Sequence, residues 1–234
     1  MLDIQTVPYY KIKLPLMNRE VSFRPYYVAE EVAFLTHLES QDKTNLIDSL
    51  IELTKNCVKQ KEIFDEKLSL IDFTYLLVNI RGKSKGEKIE LEKTCSKCNA
   101  TEPFDFDVIK ALNITNQGEV KKLVDVGNDI NVEIGILPYD YLKDSSGIDD
   151  ENELKFRTIG YVIRKIVAGT EIHAKFTIDE VVDRFVKKLT TIQLKTLVDE
   201  MNNLANMKLV ISCECASCGH KEDIEMDNVL SFLF

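Results

Sequence analysis

The residues in this chain best suited to chemistry are cysteines, and four of its six form two Cys-x-x-Cys pairs. "LEKTCSKCNATEPF" holds Cys95 and Cys98; "VISCECASCGHKED" holds Cys215 and Cys218, with Cys213 shortly before them and His220 shortly after. A structural zinc ion takes four ligands in a tetrahedron and binds thiolates strongly because they are soft and anionic. One Cys-x-x-Cys turn sets two sulfurs on one side of an ion, and two turns close the sphere. The spacing therefore predicts one shared structural site on Cys95, Cys98, Cys215 and Cys218. Zinc is the expected ion, and iron is the alternative that the same thiolates suit. About half the chain separates the pairs, far more than in standard ribbons, so the case rests on both turns sitting between strand-like runs. Cysteines that hold no ligand are the competing reading.

The neighbouring groups have simpler explanations. Cys213 would share a strand face with Cys215 and reads as an ordinary strand thiol, while His220 reads as an exposed histidine. Cys57 continues a helical apolar stripe and reads as a small buried hydrophobe. A redox Cys-x-x-Cys belongs at a helix N-terminus, where the dipole lowers the thiol pKa; neither pair has that context. "RGKSKGEK" imitates the end of a phosphate loop, but Leu77 stands where the motif needs glycine, so it reads as a solvated basic turn. His37, His173 and His220 are scattered, and no nucleophile elbow or His-Glu-x-x-His is present. The expectation is a protein that is not an enzyme and takes no small-molecule substrate.

The elements that must position the cysteines follow from periodicity. Alternation on both sides of Met17, Asn18 and Arg19 predicts an N-terminal β-hairpin. From Ala29 onward, "AEEVAFLTHLES" and "KTNLIDSLIELTKNCVKQ" have helical spacing, with Leu46, Leu50, Leu53 and Cys57 on one face. "LIDFTYLLVNIRGKS" reads as a third, buried helix with Asp72 as cap and Gly82 as stop. Ile89 and Leu91 before the first cysteines, and Phe104 and Phe106 after them, alternate as strands do. A second hairpin turns at Gly127, Asn128 and Asp129. "KDSSGIDDEN" reads as a mobile surface loop, and the chain beyond it as helical to about Asn206. One of those helices ends at Gly169, and another opens with the capping box Thr177/Glu180. Alternation then returns around the second cysteine pair.

The predicted fold class is α+β: a helical core with β-hairpins and a split zinc-ribbon-like site of four cysteines formed by the two distant turns. The segments are 1–28 (hairpin), 29–86 (helical), 87–140 (first ribbon and hairpin), 151–206 (helical) and 207–234 (second strand pair and apolar tail). They are expected to form one intertwined domain, at most two. A chain of 234 residues can bury such a core without help from metal. Its 44% hydrophobic and 29% charged content is that of an ordinary globular protein. A net charge of −9 argues against neutralising nucleic-acid phosphates. No apolar run approaches the roughly 18 residues of a membrane span, so the chain reads as cytosolic or as a soluble part of an assembly.

Several stretches together resemble the baseplate hub protein family of T-even-like contractile-tailed bacteriophages. They are "KLPLMNREVSFRPYYVAEE", "LESQD", "KNCV", "IDFTYLLVNIRGKSKGEKIEL" running into "CSKC", "ILPYDYL", "FVKKLTTIQL", "CECASCG" and "VLSFLF". The Arg24-Pro25 segment, the block from Arg81 to Glu87 and the aromatic terminus are the most specific. The chain departs from the family pattern in its last residues, Ser231 to Phe234, which replace a double aromatic ending, and in the extra thiol Cys213. The resemblance implies a late protein of viral tail morphogenesis: a hub component of the virion, or a chaperone-like factor that assembles the hub in the host cytoplasm. Its partners would be other hub proteins, with Leu230, Phe232, Leu233 and Phe234 as candidate contacts. The family carries no reaction. A zinc-ribbon regulator of nucleic acid or polymerase is the other class, supported by Lys93, Lys97 and Lys221 and countered by Glu92, Glu102, Glu222 and Asp223.

Overall fold

Alternation around Met17 to Arg19 becomes an antiparallel hairpin of β1 (Tyr10–Lys13) and β2 (Glu20–Phe23). Asn18 adopts the left-handed conformation its turn needs, with φ 57°. The computed structural model describes residues 7–39, 43–66, 68–226 and 229. Among these, seven α-helices and eleven strands in four small sheets make an α+β fold. None of the helices is long and apolar enough to cross a membrane.

Helix α1 (Val28–Glu39) packs on α2 (Lys43–Cys57), which buries Leu50, Ile51, Leu53, Thr54 and Cys57. Helix α3 (Leu70–Lys85) is buried on most sides, as its apolar composition predicts. Its cap is Ser69 rather than Asp72. The Ser69 hydroxyl accepts from the Asp72 N–H, and the Asp72 carboxylate accepts from the N–H groups of Leu16 and Met17 at 2.9 and 3.0 Å. Asp72 thus ties the β1–β2 turn to the start of α3. Nor is Gly82 the stop: it lies inside the helix against Ile109, and Gly86 at φ 102° ends it. The basic block is therefore a last helical turn instead of a loop, with Lys83 paired to Glu87 and Lys85 to Glu31.

The first ribbon is β3 (Lys88–Thr94) and β4 (Thr101–Asp107), followed by β5 (Leu112–Thr115), a strand the periodicity did not predict. Next come β6 (Lys121–Gly127) and β7 (Ile130–Gly135), turning at Asn128 and Asp129 with φ of 57° and 58°. The expected mobile loop is in large part the short helix α4 (Tyr141–Ser145) and the Asp150 cap of α5 (Glu151–Val162).

The expected helix running to Gly169 stops seven residues early. Ile163–Ala168 is strand β8, paired with β7, and Glu171–His173 is β9; Gly169 (φ 57°) makes their turn. Ile163, Ile166 and Val167 are β-branched and favour a strand, and β7 offers an edge to pair with. Helices α6 (Ile178–Arg184) and α7 (Thr191–Asn202) follow, each with a complete capping box. The chain ends its described course with β10 (Asn206–Glu214) and β11 (Lys221–Met226).

Two buried clusters organise these elements. One joins the N-terminal hairpin, α1 to α3, the root of the first ribbon (Phe106, Val108) and β10 through Met207, Leu209 and Ile211. The other packs β6 to β8 against α5, α6 and α7. After β5 the chain builds the second cluster, touches the first again at Tyr139 and Leu142, and returns to it through β10, which pairs with β5.

Candidate metal centre

Each cysteine pair sits in the turn of a strand–turn–strand ribbon. The β3–β4 register runs from Lys88 opposite Asp107 to Thr94 opposite Thr101, leaving Cys95 to Ala100 as the turn. The β10–β11 register ends at Glu214 opposite Lys221, leaving Cys215 to His220. Because β10 hydrogen-bonds to β5, the second turn is carried back to the first.

All four sulfurs lie within 4.8 Å of one another. Across the ribbons, Cys95 and Cys218 are 3.8 Å apart at Sγ, and Cys98 and Cys215 are 3.6 Å apart. A tetrahedral ion with metal–sulfur bonds of about 2.3 Å requires sulfur–sulfur edges of about 3.8 Å. The donor set and its spacing fit zinc. No disulfide joins these cysteines; Cys95 is buried, Cys215 half-buried, and Cys98 and Cys218 are exposed.

The backbone prepares the site for anionic sulfur. N–H groups of Cys98 and Lys97 point at the Cys95 sulfur and bring that thiol down to about 7. Cys98 and Cys218 also receive a backbone N–H, from Ala100 and His220, yet the neighbouring thiols, by direct contact and by displacing part of their hydration, hold them above the ordinary thiol value. Burial pushes Cys215 up. A metal ion would reverse this order by drawing all four to thiolates.

Cys213 stands outside the quartet. Its sulfur accepts from Lys93 Nζ at 2.8 Å and donates to the Glu222 carbonyl. His220 is half-buried rather than exposed, and its carbonyl accepts from the Cys215 N–H. Cys57 is fully buried, with its thiol pushed up to about 12 by burial. Leu230, Phe232, Leu233 and Phe234 lie outside the described residues.

Two carboxylates border the quartet that sequence reasoning treated only as local charge. Glu102 accepts from the N–H groups of Ala216 and Ser217, and Glu222 accepts from Ser96 and Lys93. Both are held below the usual carboxylate range, Glu102 chiefly by the Ser217 hydroxyl and Glu222 chiefly by Lys93. A signal for them was present in the sequence: each stands four positions after the second cysteine of its pair.

Fold and site together define an α+β protein in which two distant ribbons gather four thiols at one point. The family described as T4 bacteriophage base plate protein matches residues 7–234. The chain belongs to that family, and is thus a phage baseplate-related structural protein. No curated protein and no solved structure matches it.

Proposed function

We propose that this protein is a non-enzymatic component of the contractile-tail baseplate hub, or a chaperone-like factor that assembles the hub in the host cytoplasm, stapled by one structural zinc. The observation that carries the zinc is the near-tetrahedral spacing of four sulfurs drawn from two ribbons about half a chain apart. Cys95, Cys98, Cys215 and Cys218 would hold the ion, which supplies cross-linking rather than reactivity. The hub role rests on family membership and on the motif resemblance around Arg24-Pro25 and Arg81 to Glu87. The regulator reading weakens because two of its three lysines are occupied: Lys93 pairs with Glu222 and Lys221 with Glu214.

Metal analysis of the purified chain tests the site: about one zinc per protein is expected, lowered in Cys98→Ser and in Cys218→Ser. Unchanged zinc in both variants would sink it. Co-expression with hub proteins, comparing the full chain with one lacking residues 230–234, tests the assembly role; failure to retain any hub protein removes it. Mass spectrometry of purified virions beside infected-cell lysate separates a virion subunit from an assembly factor.

A further inference from the structure

The two cysteine turns repeat each other in detail. In the first, the Cys95 N–H donates to Ala100 O and the Asn99 N–H to Cys95 O; in the second, the Cys215 N–H donates to His220 O and the Gly219 N–H to Cys215 O. Asn99 and Gly219 both take left-handed backbone, φ 58° and 68°. Lys93 faces Glu102 in one ribbon as Cys213 faces Glu222 in the other. Lys93 and Cys213 are 120 positions apart, hold equivalent places, and touch. The two cross-ribbon sulfur contacts are likewise an equivalent pair. The ribbons therefore face each other across a local two-fold that passes between Lys93 and Cys213.

The glutamates cross this axis in opposite directions. Glu102, from the first ribbon, accepts from the N–H of Ala216 at 2.8 Å, the N–H of Ser217 at 3.0 Å and the Ser217 hydroxyl, all in the second turn. Glu222, from the second ribbon, accepts from the Ser96 hydroxyl at 3.1 Å and from Lys93 Nζ at 2.8 Å, both in the first. The β3–β4 and β10–β11 ribbons belong to separate sheets, so no strand pairing joins them.

We propose that Glu102 and Glu222 are positioning residues that form a reciprocal clasp, holding the four-thiol site assembled before any metal enters. This rests on the reading of the quartet as a metal site, although the clasp itself needs no ion. The β5–β10 pairing already closes the long loop between the ribbons, so without such contacts the ion itself would have to draw the two ribbon tips together as it binds. With them, the second pair of sulfurs is already in place when the first takes the ion. The clasp is unequal. Glu102 accepts two backbone N–H groups fixed by the turn at 2.8 and 3.0 Å, whereas Glu222 is held chiefly by the Lys93 and Ser96 side chains, with the Ser96 N–H adding less, so Glu102 dominates.

The test uses the full chain stripped of metal and treated with diamide, which accepts two electrons and two protons for each disulfide formed. Peptide mapping distinguishes cross-ribbon links, Cys95 to Cys218 and Cys98 to Cys215, from links within a ribbon. The wild type should form cross-ribbon links. Glu102→Ala should slow them about tenfold, Glu222→Ala less, and Glu102→Gln least because an amide oxygen still accepts. In parallel, the dissociation constant for cobalt, read by thiolate-to-cobalt absorption, should rise about 10- to 100-fold in Glu102→Ala. Cross-ribbon links forming at the wild-type rate in the Glu102→Ala/Glu222→Ala double variant overturn the clasp. If that variant does not fold, Ser217→Ala and Glu102→Gln provide the graded series, and the absence of any slowing in both overturns it equally. A wild type that takes no cobalt, yet loses cross-ribbon links on Glu102→Ala, refutes the metal reading and leaves the clasp standing.

Discussion

Arg24 is a guanidinium with its side chain almost withdrawn from water, and both of its terminal nitrogens are hydrogen-bonded. Its two terminal nitrogens meet the two Glu30 oxygens at 2.8 Å each, with the carbonyls of Pro25 and Asn56 taking further protons. Glu30 also accepts from the Tyr27 N–H, so one carboxylate both starts α1 and anchors Arg24. Arg24 holds the Glu30 carboxyl below its ordinary value, with the Tyr27 N–H adding to the effect. The unfolded chain thus binds that proton more readily than the folded one, so the pair's stabilisation is present above the unfolded value of about 4.3 and disappears as pH falls through the folded pKa. Glu30→Gln should lower stability by about 2 kcal/mol at pH 7. Urea midpoints of variant and wild type should draw together as pH is taken down through that range. The helical spacing of α1 was legible in the sequence, but the partner of Glu30 was not, because Arg24 reaches it from the β2–α1 connection.

At the scale of elements, two helical glycines differ in what a methyl group would meet. At Gly160 an added Cβ would stand 2.9 Å from a Val182 methyl carbon and 3.3 Å from one of Val181, where α5 packs on α6. Valine is stiff at χ1, so neither can give way, and overpacking of about 1–3 kcal/mol should outweigh the helix-propensity gain of about 1 kcal/mol. At Gly82 the nearest atom is the far end of Ile109 at 3.0 Å, which can swing aside. Thermal melts should therefore show Gly160→Ala destabilised and Gly82→Ala near neutral. Helix starts such as Thr177 with Glu180 were readable because a capping box is local. The change from α5 to β8 was not readable, because Ile163 and Ile166 suit a buried helix face as well as a strand until β7 is there to pair with them.

At the scale of the whole molecule, the second cluster is built between the two ribbons, and this explains why the cysteine pairs lie so far apart in sequence. β5 leaves and β10 returns side by side, and the sulfurs meet beyond that pairing. A metal that binds the folded chain alone stabilises it by mass action. At free zinc 100-fold above its dissociation constant the gain is about 2.7 kcal/mol. Chelation should lower the melting temperature of the wild type and leave that of Cys98→Ser nearly unmoved, with differential scanning calorimetry as the measurement. By itself the sequence determined what is written in adjacent residues: the hairpin turns at Asn18 and Asn128, the Thr177/Glu180 capping box, the buried stripe of α2 and the two Cys-x-x-Cys turns. Tertiary structure alone decided that β5 and β8 are strands, that Asp72 holds the first turn, and that Glu102 and Glu222 cross between ribbons. Each of those depends on a partner distant along the chain, and local periodicity carries no information about which distant segment will supply the pairing edge or the free N–H.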